Sequence, residues 1–392
     1  MKNIFNLFKS EKRAITGLSL GHFNIDLYAS LLVPLYPFIT NKLGINLASI
    51  SAIIAFGHLM SSMMQPVFGF FADRLRHRIF MIWGLVFSAI FIPLAVSTNT
   101  VATFLTCLLI GMLGNAFFHP QVSALVKHYC KNNSNLSSDM GIFLGMGTIG
   151  YAIGPYLATF TIENWGENKF LFLSLIGIIV AIFIYFVVPK MPQKESYNNG
   201  NFFYIMKEIL KNKTCMFLTF ISTIKSAVSI SFGTYIPFLL QKQGFSLNET
   251  GIIVTLFFIS GGLATIFSSK IENKIGANGV VVLSFITILP LILGFLFSLN
   301  HLKYLACAFF ILTGFFILLS VGVILVAAQK TMPEYTGVIS GVMQGFSWGL
   351  GALFLAPLGI IGQNFGVDKI LILMSSIAFI VGLYCIKTKK ID

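Results

Sequence analysis

Phe170-Leu-Phe-Leu-Ser-Leu-Ile-Gly-Ile-Ile-Val-Ala-Ile-Phe-Ile-Tyr-Phe-Val-Val188 is a run of nineteen residues without a single charge, bounded by Lys169 and Lys190. A helix needs about 20 predominantly apolar residues to cross the hydrocarbon core of a bilayer, so this run predicts a transmembrane span. Working outward from it, comparable stretches recur along all 392 residues, at 14–40, 47–71, 79–97, 100–126, 138–161, 169–188, 214–240, 247–269, 278–299, 302–328, 336–362 and 368–386, numbered spans 1 to 12 in that order. Barrel strands would be half as long and would alternate in polarity. A lipid-exposed backbone must also satisfy its own hydrogen bonds, which a helix does within one segment. The expected fold is an all-α integral membrane bundle of 12 transmembrane helices.

Composition agrees, with 56% hydrophobic and 10% charged residues and a mean hydropathy of +0.87. Soluble domains carry about 25% charge, so that class is excluded. A net charge of +13 would suggest nucleic acid in a soluble protein, but its placement has another cause. With a cytoplasmic N-terminus, 20 basic residues fall on the cytoplasmic side and 5 on the other, with Lys225 left inside a span. The positive-inside rule then puts both termini in the cytoplasm of a multi-pass protein of the bacterial cytoplasmic (inner) membrane, with the lipid bilayer and not nucleic acid as its partner. The basic N-terminus and the run from Ala14 resemble a secretory signal, but the run is too long and lacks a small-residue cleavage site, so it is expected to be retained. Cys107, Cys130, Cys215, Cys307 and Cys385 form no CxxC pair and are expected to be packing residues.

The longest polar segment, Pro189 to Lys213, divides the chain into an N-terminal six-helix half (1–188), a cytoplasmic linker (189–213) and a C-terminal half (214–392). Within the linker, Phe202 to Leu210 reads as a short amphipathic helix at the membrane surface. Sliding the chain by 200 residues superposes Pro37-Phe38, Lys42, Gly44 and Leu47 on Pro237-Phe238, Lys242, Gly244 and Leu247. The same shift superposes Gly141, Gly145, Asn164 and Gly166 on Gly341, Gly345, Asn364 and Gly366. An even number of spans per half makes these repeats parallel, and transporters so built hold substrate near mid-membrane between the halves.

Between spans 2 and 3 stands Gly69-Phe-Phe-Ala-Asp73-Arg74-Leu-Arg76-His77-Arg78. It resembles the cytoplasmic loop signature of the major facilitator superfamily, G-x-L-a-D-r-x-G-r-k, with Arg76 in the second glycine position. Span 5 carries Gly141, Gly150, Gly154-Pro155 and Ala158, which resembles the antiporter motif of that superfamily, G-x8-G-x3-G-P-x2-G, with alanine last. Small residues at four-residue spacing form a flat face for close helix packing, and Pro155 can bend the span. The likeness sharpens at Gly21-His22-Phe23-Asn24-Ile25-Asp26-Leu27-Tyr28, Gln65-Pro66-Val67-Phe68-Gly69, Phe117-Phe118-His119-Pro120, Lys225-Ser226 and Tyr235-Ile236-Pro237-Phe238. Together these resemble the fosmidomycin resistance branch of the drug/proton antiporters, from about residue 17 to 385. Two departures are Gln121, where relatives often have Glu, and Lys225, where they often have Arg.

Ionisable groups inside spans are costly unless paired or facing a cavity, and so mark function. His22, Asp26 and Ser30 share one face of span 1; Asn115, His119, Ser123 and Lys127 share one of span 4; Ser222, Lys225, Ser226 and Ser229 lie within adjacent turns of span 7. The resemblance implies that spans 1, 4 and 7 line a central cavity. Asp26 is expected to be the main proton carrier, modulated by His22 or His119, its proton switching as its surroundings alternate. Lys225 is expected to meet an anionic substrate or to pair with Asp26. Tyr28, Asn115, Ser123, Tyr235, Gln344 and Trp348 are expected around the substrate; Gly69, Asp73, Arg74 and Arg78 at a cytoplasmic gate. No span offers paired carboxylates, a Ser/His/Asp set or a dense His/Asp metal cluster, so neither an enzyme nor a metal or cofactor is expected. The expected function is proton-coupled export of a small amphiphilic or anionic compound by alternating access, by a monomer. The alternative is proton-coupled import of an organic anion.

Overall fold

The computed structural model describes residues 10–75, 78–130, 136–189 and 202–388. Ten helical stretches among them are long and apolar enough to cross a bilayer. One of these, Leu247–Ser298, is 52 residues long and turns at Gly276, whose φ of 76° and ψ of 166° are not helical, so it supplies spans 8 and 9. Span 1 is absent from the ten because His22, Asn24 and Asp26 dilute it; it runs as Ser10–Leu31, a 3-10 turn Val33–Leu35 and Tyr36–Leu43. The arrangement is consistent with twelve crossings, and no strand occurs among the described residues. The linker helix spans Phe202–Lys211, and Asn212 then caps Lys213–Lys242 by accepting from the Cys215 amide at 3.0 Å.

The 200-residue repeat extends to backbone conformation. Gly44 and Gly244 both have positive φ, 63° and 80°, and end their helices with one hydrogen-bond pattern. Gly44 N–H donates to Asn41 O and Ile45 N–H to Thr40 O, as Gly244 does to Gln241 O and Phe245 to Leu240 O. This is the Schellman closure, which needs a left-handed residue that only glycine supplies without strain. Gly166 and Gly366 repeat another such pair, at φ 77° and 97°. Gly276 aligns with Arg76, so the second-half loop keeps a glycine where the first-half signature has arginine; Arg76 itself lies outside the described residues.

Contacts divide the chain into two compact units, Met1–Leu35 with Met63–Lys194, and Tyr36–Ser62 with Glu195–Asp392. The units therefore differ from the two sequence halves. The reason is small-residue packing: a Cβ on Gly359 would lie 2.5 Å from Ser51 Cβ and one on Gly349 2.5 Å from Ser62 Cβ, so the first part of span 2 seats against span 11. Tyr235 reinforces that seat, its hydroxyl donating to Leu355 O at 2.7 Å and meeting Ser51 Oγ at 3.0 Å.

In the first unit, span 5 (Leu136–Trp165) lies backbone to backbone against span 1. A Cβ on Gly150 would sit 2.0 Å from Phe23 O, and one on Gly154 2.6 Å from Leu27 O. Main-chain oxygens cannot move aside cheaply, so overpacking here costs about 1–3 kcal/mol. Gly145, on the same helix, has nothing within 4 Å of a built Cβ. Gly150→Ala is therefore expected to destabilise the detergent-solubilised protein by about 1–3 kcal/mol. Gly145→Ala should be neutral or stabilising by up to about 1 kcal/mol, because alanine is the better helix former. Thermal unfolding of both variants measures the difference.

Candidate functional site

Span 1 presents His22 and Asp26 one turn apart, and the geometry around them follows from their neighbours. His22 Nδ1 lies 2.9 Å from Phe143 O on span 5. A carbonyl oxygen can only accept, so Nδ1 carries the hydrogen and the ring is held in one orientation. The ring also stacks on Phe143, with centroids 4.3 Å apart. His22 Nε2 then faces Asp26 Oδ2 at 3.2 Å. An unprotonated Nε2 and a carboxylate would set lone pair against lone pair, so the contact is favourable only with a cation in the gap. A proton on the ring or on the carboxyl group meets that condition.

Span 4 brings His119 to the other carboxylate oxygen, Nε2 standing 3.4 Å from Asp26 Oδ1. Pro120, inside Val101–Cys130, cannot donate to the carbonyl four residues back and loosens the turn that carries His119. One turn earlier, Asn115 Oδ1 is buried without a hydrogen-bond partner. Gly147 on span 5 makes the room: a Cβ there would lie 2.5 Å from His22 Nε2 and 2.7 Å from Asp26 Oδ2. Sequence reasoning missed Gly147, although it continues the Gly150 and Gly154 face at helical spacing. Although no single span was expected to offer a metal-ligand set, donor atoms of His22 and Asp26 on span 1 and of His119 on span 4 lie within 4.8 Å of one another. The sequence grouped Asp26 with these histidines, but the ligand-like spacing depends on how spans 1 and 4 pack.

In the second unit Lys225 is buried, at 8% exposure, and makes no ion pair among the described residues of that unit. Ser222, one turn before it, donates to Met343 O at 3.0 Å. By the 200-residue shift this repeats the His22 to Phe143 contact. The accepting carbonyl belongs to Val342–Phe346, a π-helical segment in span 11 that also contains Gln344 and precedes Trp348. Such segments free carbonyls and frequently mark functional sites.

Other expected site residues take different positions. Tyr28 is fully buried, its hydroxyl donating to Leu173 O at 2.6 Å and accepting from Gly177 N at 2.9 Å. Tyr235 is likewise fully buried, so both tyrosines tie helices together and are not exposed to a substrate here. Gln121 accepts from the Met81 amide at 2.6 Å, at the start of the helix Ile79–Val96, which gives this departure from the family pattern a capping use. Arg78 donates to Val188 O at a helix C-terminus and lies 4.7 Å from the Tyr185 ring. The side chains of Asp73, Arg74 and Ser123, with the packing of Gly69 and Gly141, lie outside the described residues.

The sequence model of the Major Facilitator Superfamily matches residues 18–356. The chain is 24% identical over 364 residues to the fosmidomycin resistance protein of Escherichia coli (strain K12), covering 90% of this chain and 87% of that one. It is 23% identical over 363 residues to multidrug resistance protein 1 of Bacillus subtilis (strain 168), covering 90% and 87%. Among solved structures, the nucleoside transporter NupG superposes with a TM-score of 0.75 at 16% identity, over 95% of this chain and 98% of that one, a likeness of fold. With a family match across most of its length and an all-helical, multi-pass architecture to go with it, the chain belongs to the Major Facilitator Superfamily and is a membrane transporter of small molecules rather than an enzyme.

Proposed function

We propose that the protein is a proton-coupled antiporter that exports a small amphiphilic or anionic compound across the bacterial cytoplasmic membrane by alternating access. The observation that carries this reading is the Asp26 carboxylate held 3.2 Å and 3.4 Å from two imidazoles inside a membrane span. Asp26 and His119 keep partial access, at 18% and 30% side-chain exposure, so a proton can reach them. In this reading Asp26 takes up a proton with His22 as its fixed partner and His119 as its more exposed one. Lys225, with no ion pair among the described residues of its unit, offers its charge to the substrate, with Asn115, Gln344 and Trp348 as further candidates. The similarity to two proteins named for drug resistance supports the outward direction.

Asp26→Asn removes the titrating group with little change in volume. Proteoliposomes bearing it should lose transport driven by a pH gradient while keeping substrate exchange at equal pH; wild-type gradient-driven rates would overturn the carrier role. A charge-assisted hydrogen bond contributes about 1.5–3 kcal/mol. Lys225→Met should therefore raise KM for an anionic substrate by roughly 10-fold to 100-fold. Inside-out vesicles should accumulate substrate when energised, and would fail to do so for a symporter. Cytoplasmic termini, with both reporter fusions inside the cell, complete the proposed topology.

A further inference from the structure

We infer that His22 Nε2, Asp26 and His119 Nε2 form a binding site for a borderline divalent transition-metal ion of the zinc class. Spacing, donor chemistry and the surrounding support each point to such a site without the proton-coupling reading. The first is spacing. Imidazole and carboxylate donors bind zinc at about 2.0–2.2 Å, and donors on a tetrahedron of that size stand about 3.3–3.6 Å apart. The two measured separations are 3.2 Å and 3.4 Å, and all three donors lie within 4.8 Å.

The second is donor chemistry. Two imidazoles with one carboxylate suit Zn²⁺ and its neighbours, whereas Mg²⁺ and Ca²⁺ favour all-oxygen shells. The third is the surrounding support. Metal-bound histidines usually give their other ring N–H to a carbonyl or carboxylate, and His22 Nδ1 already does so to Phe143 O at 2.9 Å. Gly147 keeps the span 5 side of the site free of a side chain. The partial exposure of Asp26 and His119 leaves an approach for the ion and room for a fourth ligand such as water. Among the described residues Tyr151 is a further titratable group within electrostatic reach of Asp26. An ion here would fill the gap between His22 and Asp26 that otherwise takes a proton, and would pin span 1 to span 4, so its binding arrests transport.

The test uses the full chain, purified without a histidine tag and reconstituted in nanodiscs. Equilibrium dialysis should find one Zn²⁺ per chain, and Co²⁺ should give visible absorption bands of a four-coordinate site that Zn²⁺ abolishes. Outer-shell changes alone weaken such sites about 10–100-fold, so His119→Gln and Asp26→Asn should each weaken binding more than 10-fold, while His301→Gln should leave it unchanged. X-ray absorption of the zinc-loaded wild type should show two histidine ligands, a readout that requires no variant to fold. No stoichiometric ion, or an ion that survives both variants, would overturn the inference. Gradient-driven transport measured in chelator separates the two readings: coupling without ion binding removes the metal site alone, and ion binding without coupling removes the antiport reading alone.

Discussion

A carboxylate inside a bilayer is tolerated only where positive charge or water reaches it, and this constraint accounts for most of what surrounds Asp26. His22 comes from its own helix, one turn earlier, and His119 comes from span 4. Span 5 accommodates both through Gly147, which a methyl group would convert into a clash with His22 and Asp26 together. Around an apolar side chain these features would be a disadvantage. Proline within a helix removes a hydrogen bond, and a glycine in a helix interior costs about 1 kcal/mol relative to alanine. The first unit gives up helix stability in spans 4 and 5 and gains a polar contact that spans 1, 4 and 5 assemble jointly.

Local chemistry was the legible part of this chain. Apolar runs gave the spans, and shared turn glycines at Gly44 and Gly244, or Gly166 and Gly366, announced a repeat that their backbone angles express. His22 and Asp26 were readable as a pair because one helical turn separates them. What stayed hidden depends on contacts between distant segments. Helical spacing sets Gly147 on the face of Gly150 and Gly154, but only the fold shows that it meets His22 and Asp26 while Gly145 faces open space. Tyr28 and Tyr235 were expected around the substrate, yet their hydroxyls bond main-chain acceptors on other helices. Gln121 read as a missing acid, and the Met81 amide that it caps is 40 residues away. The π-helical segment at Val342–Phe346 has no signature in residue type at all.

The repeat also shows where the two halves part company. His22 and Ser222 occupy equivalent positions and make equivalent bonds, to Phe143 O and Met343 O at 2.9 Å and 3.0 Å. The tie between the first and fifth helix of each half is therefore independent of the chemistry placed on it, since a hydroxyl performs it as well as an imidazole. What histidine adds is a second nitrogen, which reaches Asp26 while the first is engaged. Serine has no second polar atom to extend in that way, and the position equivalent to Asp26 is Ser226. The second unit instead carries Lys225, one residue out of that register, where the first has Ile25. An acid and an imidazole in the first unit thus correspond to a buried ammonium in the second, on a scaffold whose helix ties are the same. In the proposed antiporter that division would let one half respond to a proton and the other to an anionic substrate, because each half can be tuned without disturbing the backbone contacts that both share.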